Sequence, residues 1–414
     1  MSPTPWAAVP LAALAVAAPF VPVWIVVLAA LAVGAAVVVD ALAVRRAPRA
    51  VRQAPAALVR GIPAPLRVDV SPGRASRVRV RQPVPPDLRL EPSVGEGQLD
   101  STLVGRRRGR HELPRPAVRL VGPLGLGAWT HAAGERGEVR VYPDVPGARR
   151  LATAVQQGRF REEARRRGPL GLGTEFESIR EYSPDDDVRQ VNWRATQRLG
   201  RPMSNQFRVE RDRDVILLVD SGRLTGAPIG EATRLDLALD AAVAVAAVAD
   251  VVGDRCGAVA FAGGIRRSLR PRRAGSKALI EALFDLEPEP VDSDYERAFQ
   301  EVTGMKRAFV LVLTDLLEET AARPLLDALP VLARRHAVAV AGVADPDLDA
   351  LVAREPQRAV DVYRAAVALE VLEARARVSS RIARTGASVI EAPPVSLPAA
   401  CVRAYLRAKR RARL

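Results

Sequence analysis

The sequence predicts a membrane hairpin, a small β-sandwich, and an α/β domain whose mainly parallel sheet is flanked by helices. Three observations predict this arrangement. An uncharged apolar run opens the chain, short segments of alternating polarity follow it, and apolar runs alternate with amphipathic segments in the second half. We place the membrane anchor at residues 1–46, the β-sandwich at 54–145, a connector at 150–213 and the α/β domain at 214–414.

The first 44 residues have the composition of a membrane anchor. No side chain from Pro5 to Val39 is charged, and the apolar run resumes after Asp40. The run is too long for a signal-peptide core and has no basic leader, so we expect it to remain in the membrane lipid. Because about 20 residues cross the hydrocarbon, we predict two helices with a turn at residues 19–22; one longer tilted helix is the alternative. Arginines at residues 45–52 place the bulk of the chain in the cytosol, beneath the cell membrane.

The chain is strongly basic, with 62 Lys and Arg against 47 Asp and Glu and a net charge of +15. Nearly all of this positive charge is arginine, which, with abundant Ala, Val, Pro and Gly, is typical of a GC-rich genome. The alternative is binding to nucleic acid or acidic lipid. Nucleic acid is disfavoured because aromatic residues make up only 4% of the chain and no stretch interleaves them with basic residues.

Five segments after the anchor alternate apolar and polar side chains, as half-buried strands do. They are residues 66–70, 77–81, 87–91, 117–121 and 137–142. Between them, the basic segment Gly105–His111 is predicted to be a solvated hairpin tip, with binding to lipid headgroups as the alternative. The hexapeptide GPLGLG occurs at residues 122–127 and 168–173. Neither copy ends in the Gly-Lys-Ser/Thr of a phosphate-binding loop, so both are predicted to be turns.

Residues 173–193 hold the densest mixture of charged and aromatic side chains. We predict a fixed network there, because arginine forms forked bonds to carboxylates. Its members would be Arg180 and Arg189 paired with Glu175, Asp186 or Asp187, with Tyr182 and Trp193 as apolar anchors. Cation binding by Asp185–Asp187 is the alternative, which the neighbouring arginines disfavour.

The last 200 residues have the pattern of an α/β domain. Asp214–Asp220 is a continuous apolar run that ends in Asp, as expected of a strand buried on both faces. Further strands are predicted at 256–261, 308–313 and 337–343, and helices at 232–252, 276–284, 295–302 and 322–334. Apolar residues stepping by three or four from Tyr363 to Ile382 predict one continuous helix stripe. A final helix at about 397–412 would cover the core with a basic outer face, or contact lipid.

The connector closely resembles the signature of the bacterial family catalogued as domain of unknown function 58. The matching residues are Glu175, Phe176, Arg180, Tyr182, Pro184, Asp186, Arg189, Trp193 and Arg198. Asp185 and Gln197 stand where the family usually has glycine and alanine. Members resemble this chain along nearly its whole length, from membrane hairpin to a von Willebrand factor A-like domain. The resemblance implies an actinobacterial member of the family that works beside a MoxR-type AAA+ ATPase.

The same resemblance implies a metal site. In von Willebrand A domains this site is similar to Asp-x-Ser-x-Ser after the first strand, a Thr from a later loop and an Asp after the fourth strand, which suits Mg²⁺. Here residues 220–224 lack both serines of the motif, and Arg223 adds a positive charge. A degenerate site of Asp220, Ser293 and Asp315 is what remains. We therefore expect no cofactor, with Mg²⁺ as the alternative.

No enzymatic centre is predicted. The two cysteines, Cys256 and Cys401, lie far apart, and the three histidines are too scattered for a zinc cluster. Ser221 follows a strand but lacks the Gly-x-Ser-x-Gly elbow of a nucleophile, and His336 is predicted to begin a strand. Two functions remain: a protein-interaction module serving an ATPase-driven assembly or chaperone system, and a structural protein of cell-envelope biogenesis without an ATPase partner.

Overall fold

The computed structural model describes residues 1–158, 175–183, 186, 188–208, 213–315 and 319–410. Within these ranges, the side chains of 175–177, 189, 206–208 and 319–321 are outside the description. The second GPLGLG copy and the three residues Pro184, Asp185 and Asp187 also lie outside the described residues. The chain divides into two compact units, Met1–Tyr142 and Pro143–Leu414.

The amino-terminal apolar run is helical. Val23–Ala43, of 21 residues with a mean hydropathy of 2.7, is long and apolar enough to cross a membrane. Before it, residues 5–20 form shorter helical pieces, which are Pro5–Ala7, Ala8–Ala17 and Ala18–Phe20. Of the predicted turn at residues 19–22, Pro19 and Phe20 are helical, and the helices are interrupted at Val21, which is extended, and at Pro22, which precedes the long helix.

The rest of the first unit is made of strands around one core. They are Ser2–Pro3, Ala50–Gln53, Ala57–Val59, Ala64–Val70, Arg77–Arg81, Leu88–Glu91, Val94–Glu96, Gln98–Gly105, Gly109–Leu113, Ala117–Val121, Gly127–Ala132 and Gly137–Tyr142. Sheets of five, four and three strands enclose a common apolar core. All five predicted strands are confirmed. The alternation works as expected: Val78 and Val80 are buried while the arginines around them are exposed.

The basic segment Gly105–His111 is not a hairpin tip, so that prediction was wrong. The strand before it pairs within the four-stranded sheet, whereas the strand after it pairs with Gly137–Tyr142 in the three-stranded sheet. The segment therefore carries the chain from one sheet to another. Arg108 and His111 are 3% and 9% exposed as a result.

The first GPLGLG copy forms a turn, as predicted, and this turn binds the end of the long apolar helix. Asp40 is 2% exposed, and its carboxylate accepts the backbone N–H groups of Leu124, Leu126 and Gly127, each at 2.8 Å. A Cβ on Gly127 would lie 2.4 Å from the carbonyl oxygen of Val37. Glycine is needed there because helix and turn approach so closely.

The second unit is built on a six-stranded sheet. In order across the sheet, the strands are Ile265–Arg272, Arg255–Phe261, Asp214–Asp220, Ala308–Leu313, Ala337–Val343 and Ser388–Ala392. The first is antiparallel to its neighbour and the other five are parallel. The prediction that Asp214–Asp220 is a central strand is confirmed, and every residue in it is buried.

Helices cover both faces of this sheet. One face packs against Val145–Gln156, Arg234–Val252, Gly275–Leu283 and Leu397–Arg410; the other packs against Tyr295–Thr303, Glu319–Arg335 and Ala359–Arg384. The helix Pro346–Ala353 is also present. Outside the sheet lie the helix Trp193–Leu199, the paired strands Glu175–Glu181 and Met203–Arg208, the short pair Pro228–Ile229 and Ala232–Thr233, and single turns at Val188–Gln190 and Arg223–Gly226.

The predicted apolar stripe on the helix Ala359–Arg384 is only half buried. Val378 and Ile382 are fully buried, but Tyr363 is 74% and Val367 is 60% exposed. The helix has 26 residues, so it is roughly 39 Å long and extends beyond strands of about 23 Å. Its first half is covered only in part, because Ala368 is 1% exposed whereas Tyr363 and Val367 remain exposed.

The terminal helix Leu397–Arg410 covers the core with a mainly basic outer face, as predicted. Cys401, Val402 and Tyr405 are buried, and Arg403 is exposed. Lys409 is an exception to the predicted basic face, because it is 9% exposed and its Nζ lies 2.6 Å from both carboxylate oxygens of Asp254. The Tyr405 hydroxyl donates to the same carboxylate, so this helix is tied to the sheet by a buried ion pair.

Candidate functional site

The carboxyl ends of the five parallel strands meet at one edge of the sheet. Asp220 is the last residue of its strand, and Asp315 follows Ala308–Leu313 by two residues. These two strands are neighbours, and the chain order across the sheet reverses between them. Such a switch point is where open parallel sheets place ligands. Both carboxylates are there, as predicted, but they are 3% and 7% exposed.

Asp220 is surrounded by hydroxyl groups. Its Oδ1 accepts the Ser293 hydroxyl at 2.5 Å and the Gly222 backbone N–H at 2.8 Å. Its Oδ2 lies 2.6 Å from the Thr314 hydroxyl and 2.9 Å from the Tyr295 hydroxyl, which also contact each other at 2.7 Å. A carboxylate has about four lone-pair positions, and four neutral groups lie within hydrogen-bond distance of this one; either hydroxyl could supply the proton of the Tyr295–Thr314 contact.

Two features fix this cluster. A Cβ on Gly222 would lie 2.1 Å from the Ser293 oxygen, so only glycine lets Ser293 reach Asp220. Burial raises the pKa of Tyr295 well above its usual value, and the negative charge of Asp220 raises it further. The phenol therefore stays protonated and acts as a hydrogen-bond donor to the cluster.

Asp315 is held by two buried arginines. Arg234 places Nε 3.0 Å from Oδ2 and Nη1 3.2 Å from Oδ1, and Arg375 places Nη2 3.4 Å from Oδ1. Arg234 also reaches Asp345, at 3.3 Å. The two arginines are 6% and 5% exposed, so this is an ion-pair network inside the protein. Burial lowers the pKa of Arg234, and the charge of Asp315 opposes that effect.

This donor set fits Mg²⁺ poorly. Magnesium needs carboxylate oxygens and waters in open, octahedral geometry. Here the hydroxyl groups beside Asp220 could serve as ligands, but Asp315 faces two guanidinium groups that would repel a cation. Within the described parts of the chain, no group of three or more His, Cys, Asp and Glu could hold a metal ion.

The positive charge at this edge comes from residues that the sequence did not reveal. Arg223 was predicted to charge the site but instead pairs with Asp292, 2.5 Å away, on the surface. Arg234 and Arg375 supply the charge, and Tyr295 adds an unforeseen hydroxyl. One signal could have identified Arg234: it opens a long apolar helix, where the helix dipole disfavours a cation unless an acid compensates it.

Ser221 and His336 lie at opposite edges of the sheet. Ser221 is fully buried at the carboxyl edge, where its hydroxyl donates to the Phe261 carbonyl at 2.9 Å. His336 immediately precedes the strand Ala337–Val343, at the amino edge. A serine nucleophile and its base need to be within hydrogen-bond reach, and this pair is not.

The signature forms a two-stranded ribbon with helical turns in the connection between its strands. Glu175–Glu181 pairs antiparallel with Met203–Arg208. The predicted pairing of Arg180 with Asp186 is present, with Nη2 and Oδ1 2.5 Å apart. Asp186 also accepts the Ser183 backbone N–H at 2.9 Å, and its own carbonyl accepts the Tyr182 hydroxyl at 3.2 Å. The Ser183 N–H, and then Arg180, lower the pKa of Asp186.

Trp193 is not a buried anchor, which corrects the prediction. It begins the helix Trp193–Leu199, which Asn192 caps by accepting the Ala195 N–H, and it is 70% exposed. Val188 in the same connection is 66% exposed, and Arg198 is exposed in the last helical turn. The backbones of Glu175, Phe176 and Arg189 are placed in this ribbon, but their side chains are outside the description.

The protein thus has a β-rich unit with an apolar helix, and an α/β unit. At the carboxyl edge of the six-stranded sheet in the α/β unit, buried arginines neutralise Asp315. The model of the family described as protein of unknown function DUF58 matches residues 178–387, half of the chain. The chain therefore belongs to this family. Its signature and its six-stranded sheet both lie largely within the matched residues.

Similar curated proteins are found in mycobacteria, and their names assign them no function. They include the proteins Mb1516 of Mycobacterium bovis and Rv1480 of Mycobacterium tuberculosis strain H37Rv, each 28% identical over 184 residues. The match covers 42% of this chain and 56% of each relative. The chain thus spans just over half the length of the curated relatives it matches.

Proposed function

We propose that this protein is a membrane-anchored, non-catalytic interaction module of the von Willebrand factor A type, and that it is accessory to a MoxR-type AAA+ ATPase in assembly or chaperone work. The observation that carries the proposal is the exposed apolar surface of the family signature, with Trp193 at 70% and Val188 at 66% exposure. Large exposed apolar side chains beside arginines are typical of protein-binding surfaces.

The positions of Asp220 and Asp315 support the von Willebrand factor A type of the α/β domain. In chain order, Asp220 follows the first strand of the sheet and Asp315 follows the fourth. Those are the positions that the resemblance implies for the metal site of a von Willebrand A domain. The antiparallel edge strand and the helices on both faces are compatible with the same assignment.

We propose that the carboxyl edge works without a metal ion and without catalysis. Arg234 and Arg375 supply the positive charge beside Asp315 that a bound cation would otherwise supply. The hydroxyl cluster saturates Asp220, so this carboxylate is a poor general base. Because Asp220 and Asp315 are buried and already have partners, we propose that they have a structural role and that the exposed surfaces bind the partner.

Membrane attachment is supported by the apolar helix Val23–Ala43. We propose that residues 5–20 accompany it as the other arm of a hairpin, because the residues that flank the uncharged run 5–39, Thr4 and Asp40, contact the same turn. Thr4 donates its backbone N–H to the Leu126 carbonyl at 2.9 Å, and Asp40 accepts the Leu126 N–H. The arginines at 45–52 then favour a cytosolic location for the two units.

The ATPase partnership is tested by binding. The full chain in lipid nanodiscs is immobilised, and the MoxR-type ATPase encoded nearest to its gene is titrated over it. Trp193→Ala should raise the Kd by about 30-fold, the loss expected of a hot-spot aromatic of about 2 kcal/mol. Val395→Ala is the matched control, because Val395 is 96% exposed in the same unit but lies outside the signature.

Two outcomes would contradict the proposal. One is an absence of binding by the unmodified chain, which favours a structural role in the cell envelope without an ATPase partner. The other is equal loss of affinity in Trp193→Ala and Val395→Ala, which means that the signature is not the docking element.

A further inference from the structure

The sheets of the first unit differ in how they neutralise their exposed arginines. On the four-stranded sheet, Arg67 places Nε 3.0 Å from Asp69 and 3.4 Å from Asp100. On the three-stranded sheet, Arg140 places Nε 3.1 Å from Glu138. In both sheets, acids on the same or the neighbouring strand balance the charge of an outward-facing arginine.

The outer face of the five-stranded sheet has no such balance. Arg77, Arg79 and Arg81 alternate with buried valines along one strand, so all three side chains are on the outer face and are exposed. Glu96 is the register partner of Arg79 on the neighbouring strand. Even so, none of the three arginines forms an ion pair with a carboxylate in the part of the chain that the structure describes.

Arg79 also faces another arginine across the sheet. It is the register partner of Arg119 in the strand Ala117–Val121. Residues directly opposite each other have Cβ atoms about 4.5–5.5 Å apart, and like charges at such positions destabilise a sheet. Arg119 donates from Nη2 to the Ser2 hydroxyl at 3.2 Å, but this neutral group leaves its charge uncompensated. An anion over the two arginines would remove the repulsion, so the face favours a negatively charged partner.

The position of this face beside the apolar helix determines which anion it meets. Thr4 donates its backbone N–H to the turn at residues 122–127, and Asp40 accepts N–H groups from the same turn. These two residues flank the uncharged run, so with that run in the membrane the turn lies where the chain leaves the lipid. Arg77 is at this end of the sheet, because its register partner Val121 immediately precedes the turn.

We propose that the outer face of the five-stranded sheet binds the headgroups of anionic phospholipids; the inference rests on the proposed membrane anchor. Arg77, Arg79 and Arg119 would pair with lipid phosphates, because guanidinium groups form forked hydrogen bonds to phosphate oxygens. Arg79 is two residues from Arg77, which is about 7 Å along a strand, so both are close to the headgroup layer. A zwitterionic headgroup carries its own cation beside the phosphate, so the face selects anionic lipid.

Native mass spectrometry of the full chain in detergent tests the selection, with phosphatidylglycerol and phosphatidylcholine as the probes. Phosphatidylglycerol should bind about tenfold more tightly than phosphatidylcholine. Arg79→Gln should raise the phosphatidylglycerol Kd about fivefold, the effect of one arginine at an anionic surface, and leave the phosphatidylcholine Kd unchanged. Arg67→Gln is the matched control, because Arg67 is exposed in the same unit but already has carboxylate partners.

Two further measurements separate a lipid contact from a structural role. Arg79→Lys retains the charge and should keep the phosphatidylglycerol Kd within about twofold. Arg79→Gln should not lower the Tm, because it removes a like-charge pair. The inference is overturned if the two lipids bind equally, if Arg79→Gln and Arg67→Gln behave alike, or if Arg79→Gln lowers the Tm.

Extraction of chain-containing vesicles with alkaline carbonate tests the anchor separately. A chain that is released from the vesicles contradicts the membrane anchor, and the lipid site with it. A chain that is retained, but has equal affinity for the two lipids, contradicts the lipid site alone.

Discussion

The two edges of the six-stranded sheet treat polar groups in opposite ways. At the carboxyl edge, every oxygen of Asp220 and Asp315 lies against a hydroxyl, a backbone N–H or a guanidinium group. At the amino edge, Arg307, Arg407 and His336 line a cavity of about 490 Å³. The edge where the fold normally places a ligand is closed, and the opposite edge is open.

The difference shows that the position of a site in a fold does not decide whether the site is available. A switch point provides converging strand ends, but the side chains decide what they bind. Here Arg234 and Tyr295 complete the site from inside the protein. Substitutions that remove these internal partners should therefore lower the stability of the protein. We expect the largest loss where the charge left without its partner is most deeply buried.

The largest effect is expected from Arg234→Met. It leaves Asp315 buried with one arginine fewer, and breaking a buried ion pair costs about 3–5 kcal/mol. Amide hydrogen exchange in the strand Asp214–Asp220, measured by mass spectrometry on the full chain, should accelerate at least 100-fold. Exchange within about threefold of the unmodified chain would show that the network contributes little to stability.

A somewhat smaller loss is expected from Lys409→Met at the amino edge. The Tyr405 hydroxyl and the Arg213 backbone N–H still donate to Asp254, so we expect about 3 kcal/mol, the lower end of the range for a broken buried pair. The same exchange measurement applies, and Arg403→Met on the exposed face of the helix is the control. Equal exchange in both variants would contradict a buried ion pair at this position.

Tyr295→Phe should cost about 1–2 kcal/mol. It removes one donor near Asp220 but retains the ring, which packs edge-on against Phe261 at 5.4 Å between centroids. Thermal unfolding followed by far-ultraviolet circular dichroism should show a lower Tm than for the unmodified chain. A Tm equal to or above that of the unmodified chain would mean that the hydroxyl cluster tolerates the loss, and that the phenol hydroxyl is not required there.

The smallest effect concerns pH. Burial and the charges of Arg335 and Arg307 lower the pKa of His336 below the unfolded value of about 6.5. As pH falls, the unfolded chain therefore takes up this proton first. The stabilisation from neutral His336 is present above about pH 6.5 and is lost as pH falls towards the folded pKa. His336→Gln should lose less stability than the unmodified chain between about pH 7 and 5.5, and an identical loss would contradict the assignment.

The sequence predicted what depends on local pattern. The run Asp214–Asp220 is apolar throughout and proved to be a fully buried central strand, because burial on both faces allows no alternation. The acids at strand ends were also located, since parallel strands bring their carboxyl ends to one edge.

What the sequence could not show depends on contacts between distant residues. Arg375 lies 60 residues from Asp315 and appears in sequence as one more arginine of a basic helix. Trp193 is a large aromatic residue of the kind that usually anchors a core, yet it is 70% exposed, because exposure depends on which residues pack around it. Asp40 interrupts an apolar run without any local sign that a glycine-rich turn 84–87 residues later holds its carboxylate.

We infer that arginines and hydroxyl groups replace a metal ion at the carboxyl edge. Calorimetric titration of the full chain in nanodiscs with MgCl2 tests it most directly. We predict no binding tighter than about 1 mM, because Asp220 and Asp315 already have partners. Micromolar affinity for Mg²⁺ that disappears in Asp220→Asn would contradict the claim.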